Sequence, residues 1–203
     1  MSKTYRIIVA THKRFQMPED KDLYIPIQVG SEGKEDLGYQ PDNQGVHISH
    51  LNPYYCELTG LYWAWKNLEC DYLGLVHYRR YFTSKRHSYR EAISMDDIIL
   101  SKSEVKNLLS KYDVVVPKKR KYYKYYIETL YSHYAHTHDA NHLDVTRQIV
   151  SELRPDYIEA FDQVMKQRSG YMFNMFIMSK ENVAAYCEWL FPIIDELYRR
   201  LDV

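Results

Sequence analysis

The chain has 203 residues, and its 27 Lys+Arg match 27 Asp+Glu, so bulk charge gives no reason to expect a nucleic-acid binder. Three scattered cysteines, Cys56, Cys70 and Cys187, are odd in number and never at CxxC spacing, which argues against a disulfide framework and a zinc ribbon. No apolar run approaches the roughly 18 residues that span a bilayer, so a soluble cytoplasmic protein is expected, at most peripheral at the inner face of the membrane.

This length suits a single domain over 1–203, which would bury roughly 70 % of its unfolded surface. The 21 tyrosines form an amphipathic aromatic load of the kind used by sugar-binding clefts, membrane interfaces and ordinary cores alike.

Tyr5 to Ala10 is a β-rich run that delivers the polar, cationic loop Thr11-His12-Lys13-Arg14. A second short strand spans Tyr24 to Val29, and the Gly-, Asp-, Asn- and Pro-rich stretch Lys34 to Val46 reads as a loop. Asn52 as cap and Pro53 at the first helical position predict a helix to about Glu69, with Leu58, Leu61, Trp65 and Leu68 at helical spacing. Tyr72 to His77 is the third strand, so the order β, β, α, β predicts an α/β fold with a mostly parallel sheet flanked by helices. One or two helices follow between Met95 and Tyr112, then a fourth strand, Asp113 to Val116, stopped by Pro117. Ile127 to Gln167 is helical with a break at Pro155, Tyr171 to Met178 is a fifth strand, and Ser179 caps a last helix running past Pro192.

The third strand ends abruptly in His77-Tyr78-Arg79-Arg80, and strand ends of open α/β sheets are where ligands bind. Guanidinium forks match phosphate oxygens, so Arg79 and Arg80 are the candidate phosphate holders in a chain without a Walker loop or GxGxxG. Alternation along a strand predicts that only one of the two points into the cleft. His77 and Tyr78 join the candidate substrate-binding set with Thr11, His12 and Lys13, although His77 also reads as a satisfied core histidine. Asn174, among apolar neighbours in the fifth strand, is either a buried hydrogen-bonding post or a contact to sugar hydroxyls, the latter preferred.

His133, His136, His138 and His142 with Asp139 and Asp144 invite a metal reading, but no HExxH or completing motif exists. General-base work is the preferred role there, with Asp139, His138 and Asp144 as candidate catalytic residues. No cofactor is expected, and a divalent metal is the less favoured reading. Lys118 to Tyr126, alternately basic and aromatic, could meet nucleic acid or an anionic membrane, or form a solvated loop.

Asn52-Pro53-Tyr54-Tyr55, the WAWKN block at Trp63 to Asn67, HYRRYF at His77 to Phe82, NMFIMSK at Asn174 to Lys180 and YCEWLFPI at Tyr186 to Ile193 together resemble a bacterial family from capsular and exopolysaccharide gene clusters, domain of unknown function 4422. Its members are regarded as glycosyltransferases. The resemblance implies a GT-A-like fold and sugar transfer from a nucleotide donor, UDP-linked, with UDP-galactofuranose one candidate, to a growing polysaccharide. The leading hypothesis adds a lipid-linked oligosaccharide acceptor as partner, docked through Lys118 to Tyr126. GT-A enzymes usually carry an Asp-x-Asp metal motif after a mid-domain strand, where this chain has His77-Tyr78-Arg79-Arg80, so arginine charge is expected to replace the ion in stabilising the diphosphate. The chain stops close to a helix end where similar proteins continue, and a C-terminus lacking part of the acceptor site is the expectation. The rival classes are a nucleic-acid module on 118–126 and a metal-dependent phosphohydrolase on His136, His138, Asp139 and His142.

Overall fold

A computed structural model describes residues 3–84, 94–121 and 128–201. The strands are β1 Tyr5–Thr11, β2 Tyr24–Gln28, β3 Gln40–Pro41, β4 Tyr72–His77, β5 Val114–Val115, β6 Arg120–Lys121, β7 Ser169–Gly170 and β8 Phe176–Ser179. The helices are α1 Asn52–Tyr55, α2 Leu58–Asn67, α3 Met95–Ile98, α4 Lys102–Leu109, α5 Leu130–Ala135, α6 Asn141–Leu153, α7 Ile158–Met165 and α8 Lys180–Leu201. Contacts divide the chain into two compact units, Met1–Pro117 with Asn174–Ala185, and Lys118–Phe173 with Tyr186–Val203.

The first unit holds a six-stranded sheet in the order β3-β2-β1-β4-β8-β5. β1 pairs in parallel with β2 and β4, and β2 with β3, whereas β8 runs antiparallel to β4 and β5. β1 and β4 are nearly continuous apolar runs because strands at the centre of a parallel sheet are covered on both faces. Ile7, Ile8, Val9, Leu73, Leu75, Val76 and Ile177 are accordingly fully buried. Gly74 is required by this packing, since a Cβ there would meet Ile177 Cγ1 and the Phe176 carbonyl at 3.0 Å each. Lys180 donates its Nζ to the carbonyls of Ala64 and Leu68 at 2.7 Å each, placing a cation at the C-terminal end of α2.

Four expectations need correction. The helix predicted from Asn52 to Glu69 is two helices, broken at Cys56, whose φ of 49° lies in the left-handed region. Asn52 is the first residue of α1 rather than its cap, and the loop predicted over 34–46 contributes the short β3. The fifth strand begins at Phe176, not Tyr171, because Phe173 and Asn174 adopt φ of 73° and 53°, which no strand accommodates.

The second unit packs Ile149, Val150 and Ile193 with Val145, Ile158, Phe161, Trp189 and Leu197. Pro192 lies inside α8, where its missing N–H leaves the Glu188 carbonyl without its helical donor. Arg154 supplies the replacement, its Nη2 donating to that carbonyl at 3.0 Å. Arg147 grips Asp162 through two hydrogen bonds of 2.7 and 2.8 Å, tying α6 to α7. Among the described residues no helix is long and apolar enough to cross a membrane.

Candidate active site

β1, β2 and β4 point their carboxyl ends to the same edge, with Ala10 level with His77 and Thr11 level with Gln28. The chain leaves β1 toward β2 on one side and returns as β4 on the other, which makes the β1/β4 boundary a topological switch point, where open sheets leave a crevice. A cleft of about 420 Å³ opens there. Ala10, Thr11 and His12 line it from β1, and Val29 and Lys34 from the segment after β2. Asn52, Cys56 and Glu57 come from the α1–α2 junction, and His77, Tyr78, Arg79 and Arg80 from the end of β4.

The four residues after the apolar run form a tight turn: His77 N–H donates to the Arg80 carbonyl at 3.2 Å and Arg80 N–H to the His77 carbonyl at 2.9 Å. The strand therefore ends at His77, strand alternation no longer applies, and both arginines line the cleft, contrary to the expectation that one would turn away. Tyr78 is anchored by its N–H to the Ala10 carbonyl at 3.2 Å, and only 6 % of it is exposed. Its ring collects charge: the Arg79 guanidinium lies 5.0 Å and the Lys13 ammonium 5.5 Å from its centroid, with His12 and Phe15 edge-on at 5.4 and 5.0 Å. Lys13 is thus beside the ring without lining the cleft, while Thr11 turns its hydroxyl to the Lys13 carbonyl at 2.7 Å and shapes the loop after β1.

Behind the α1 wall lies Asp42, a wholly buried carboxylate that the sequence reading did not single out. It accepts from Gly30 N at 2.8 Å, Ser31 N and Oγ at 3.0 Å each, Ser49 Oγ at 2.5 Å and Thr59 Oγ1 at 2.7 Å. Burial pushes its pKa up, but the hydroxyls of Ser49 and Thr59 and the amides of Ser31 and Gly30 outweigh burial and hold it below the ordinary carboxylate value. Asn52 packs against this hub, donating to the Cys56 carbonyl at 2.7 Å and to Thr59 Oγ1 at 3.3 Å. Gly30, at φ 60°, has no room for a side chain because a Cβ would fall on the Asn52 amide.

Asn174 sits in a turn before β8, exposed, with its Nδ2 donating to Glu57 Oε1 at 2.8 Å. Glu57 carries the cleft's single carboxylate among the described lining residues, set against Arg79, Arg80, Lys34, His12 and His77. A hard divalent cation takes several oxygen ligands, so this donor set does not fit the carboxylate-held metal of the Asp-x-Asp type.

The proposed general bases fall in the second unit. Asp144 accepts from the Tyr131 hydroxyl at 3.0 Å, Asp139 accepts from Asn141 N at 2.9 Å, and His138 stacks on Tyr134 at 4.6 Å with its Nδ1 2.8 Å from Thr137 Oγ1. Among the described residues this segment does not gather three metal-ligating atoms, whereas Glu32, His47 and His50 bring theirs within 4.8 Å of one another. Of the basic patch, Lys119 lies 5.3 Å from the Tyr171 ring and Arg120 and Lys121 form β6, while 122–126 lie outside the described residues.

Lys34, Asn52 and Glu57 were missed because nothing in their local sequence marks them. Glu57 fits the helical spacing of the predicted helix, and the break at Cys56 that turns it to the cleft is a backbone feature the spacing does not carry.

The model of the family described as "Domain of unknown function (DUF4422)" matches residues 6–203. No curated protein matches the chain. Among solved structures, the apo structure of the bifunctional glycosyltransferase WbbM is similar at a TM-score of 0.85 with 30 % identity, over 97 % of this chain and 37 % of that one. The chain therefore spans little more than a third of the length of this structural neighbour.

Proposed function

Because the chain belongs to the DUF4422 family, we propose that it is a glycosyltransferase whose cleft at the β1/β4 switch point binds a nucleotide-diphosphate sugar and passes the sugar to a growing capsular or exopolysaccharide. The observation that carries this reading is the convergence of Arg79 and Arg80, with Lys34 and His12, on one crevice at the carboxyl ends of parallel strands. The similarity to a glycosyltransferase supports it independently.

In the proposed mechanism the two guanidiniums hold the diphosphate in the ground state and take up the charge that grows on it as the glycosidic bond breaks. A fixed arginine pair does this without a metal ion, consistent with the poverty of carboxylates in the cleft. Tyr78 keeps the charge in register from below: its buried ring is a platform under Arg79 and Lys13, so the cations are arranged before the ligand arrives. A UDP-linked donor, UDP-galactofuranose among the candidates, and a lipid-linked oligosaccharide acceptor complete the proposal, with Lys118 to Lys121 as the described part of a contact to the acceptor's membrane.

Calorimetric titration of UDP into the wild type and into Arg79→Ala and Arg80→Ala, with manganese and with chelator, tests this reading. Binding that ignores the metal and weakens at least tenfold in either variant is expected. No binding of UDP or of UDP-sugars by the wild type would overturn it.

A further inference from the structure

The cleft pairs a cluster of cations with a single carboxylate, Glu57, and that carboxylate is held in an unusual way. Its Oε1 takes the Nδ2 hydrogen bond of Asn174 at 2.8 Å, across 117 positions of sequence, while its Oε2 makes no hydrogen bond among the described residues. Backbone of positive φ adjoins one end of the pair and carries the other. Cys56, at φ 49°, immediately precedes Glu57, and Phe173 and Asn174 stand at φ 73° and 53°. These are the three non-glycine residues of positive φ among those described, and all three flank this one hydrogen bond. Asparagine tolerates that conformation, but cysteine and above all phenylalanine do not adopt it without cost. Strain that is concentrated around a side chain facing a cleft is a mark of a positioned functional group.

Glu57 cannot serve the diphosphate, which it would repel, and one carboxylate does not make a metal site. What a transferase still lacks once its leaving group is held by arginines is a group to take the acceptor's proton. We propose that Glu57 is the general base of an inverting transfer and that Asn174 is its positioning residue, an inference that rests on the transferase reading above.

The acceptor hydroxyl oxygen forms the new bond to the anomeric carbon from the face opposite the leaving group. The bond from that carbon to the diphosphate oxygen breaks, its electron pair leaving with the nucleoside diphosphate beside Arg79 and Arg80. The hydroxyl proton passes to Glu57 Oε2 and from there to solvent. Asn174, by donating to Oε1, fixes the carboxylate plane and leaves Oε2 turned to the reacting hydroxyl. The anomeric configuration of the sugar is therefore inverted.

The test uses the whole chain, UDP-galactose and UDP-galactofuranose as donors, and UDP release to water or to a galactoside as the readout, beside UDP calorimetry. Glu57→Gln is expected to keep UDP affinity within about threefold and to lose about 10²–10⁴-fold in turnover. Asn174→Ala is expected to lose less turnover than Glu57→Gln, with the loss in kcat while the donor KM, UDP affinity and melting temperature stay near the wild type, because only the aim of the carboxylate is disturbed. A merely structural role would instead lower melting temperature or UDP affinity together with kcat. Wild-type-like turnover in Glu57→Gln overturns the inference, as does loss of UDP binding together with turnover, which would make Glu57 a donor-binding or structural residue. A wild type that binds UDP and releases it from donor, with Glu57→Gln unimpaired, leaves the transferase reading standing and removes only the base. A wild type that binds no UDP overturns both.

Discussion

Thr59, in the first turn of α2, donates its Oγ1 to Oδ2 of Asp42 at 2.7 Å, so a helix behind the cleft and the loop that precedes it share one buried carboxylate. The same carboxylate holds the Gly30-Ser31 turn and Ser49. Five donors converge on two oxygens, and all five are neutral, which makes the arrangement a neutral-donor cage around a charge.

Asp42→Ala should therefore leave several buried donors unsatisfied and destabilise the protein by about 3 kcal/mol. The expected drop in melting temperature is roughly 6–12 °C for a chain of this size, read by scanning calorimetry. A change of a degree or two would show that water takes over the cage at little cost.

Acid should act on the same cage with a definite sign. Asp42 has its folded pKa below its ordinary 3.8, so its contribution to stability is fully present above that value and is lost as pH falls through the lowered one. Glu196, between Arg199 and Arg200, behaves likewise, its pKa pulled from 4.5 to about 2 by the hydrogen bonds of those two arginines. Stability to urea should hold steady at neutral pH and decline below about pH 4.5, and Asp42→Asn should flatten the lower part of that decline. An unchanged pH profile in Asp42→Asn would contradict the assignment.

Gly30→Ala places a methyl group on the Asn52 amide and forces an L-residue to φ 60°. A loss of about 2 kcal/mol is expected, together with weakened UDP binding, since Asn52 lines the cleft. Stability and affinity measured on one preparation would check both; intact affinity would detach Asn52 from the ligand.

Arg154→Ala removes the donor that replaces the missing N–H of Pro192. The expected cost is about 1.5–3 kcal/mol, the range for a hydrogen bond from a charged group. Restoring the missing N–H by Pro192→Ala in the Arg154→Ala background should recover much of it, and a double-mutant cycle measures the coupling. Additive effects would mean that the guanidinium and the proline gap are independent.

Much of the sheet was legible because β1 and β4 are buried on both faces and are written as unbroken apolar runs, and because their polar ends are abrupt. The crowding of Thr11, His12 and His77 to Arg80 at one edge follows from parallel pairing, which the order of elements implied. Asn174 was misread because Met172, Phe173, Met175 and Phe176 look like a strand, and hydrophobicity carries no sign of a positive φ. Asp42 and Glu57 were opaque for a different reason. Their partners are brought to them by the fold: Asn174 to Glu57 across the whole length of the second unit's first segment, and Thr59 to Asp42 by the turn into α2. The presence of both arginines at the cleft hinged on a backbone exchange, His77 with Arg80, that ends the strand at His77 before alternation could separate them.

The first unit leaves the chain at Pro117 and resumes at Asn174, and the resumed piece supplies β8, which lies between β4 and β5, as well as the partner of Glu57. The sheet is thus written in two instalments. No stretch of the gene encodes it without also encoding residues 118–173: a product ending near Pro117 lacks the interior strand β8 and leaves an edge of β4 unpaired, a template for aggregation. A ribosome must finish the intervening 56 or so codons before the cleft can close around its carboxylate, so during synthesis the arginine turn exists before the residue that steadies its counterpart, and whatever folds first waits for the late strand.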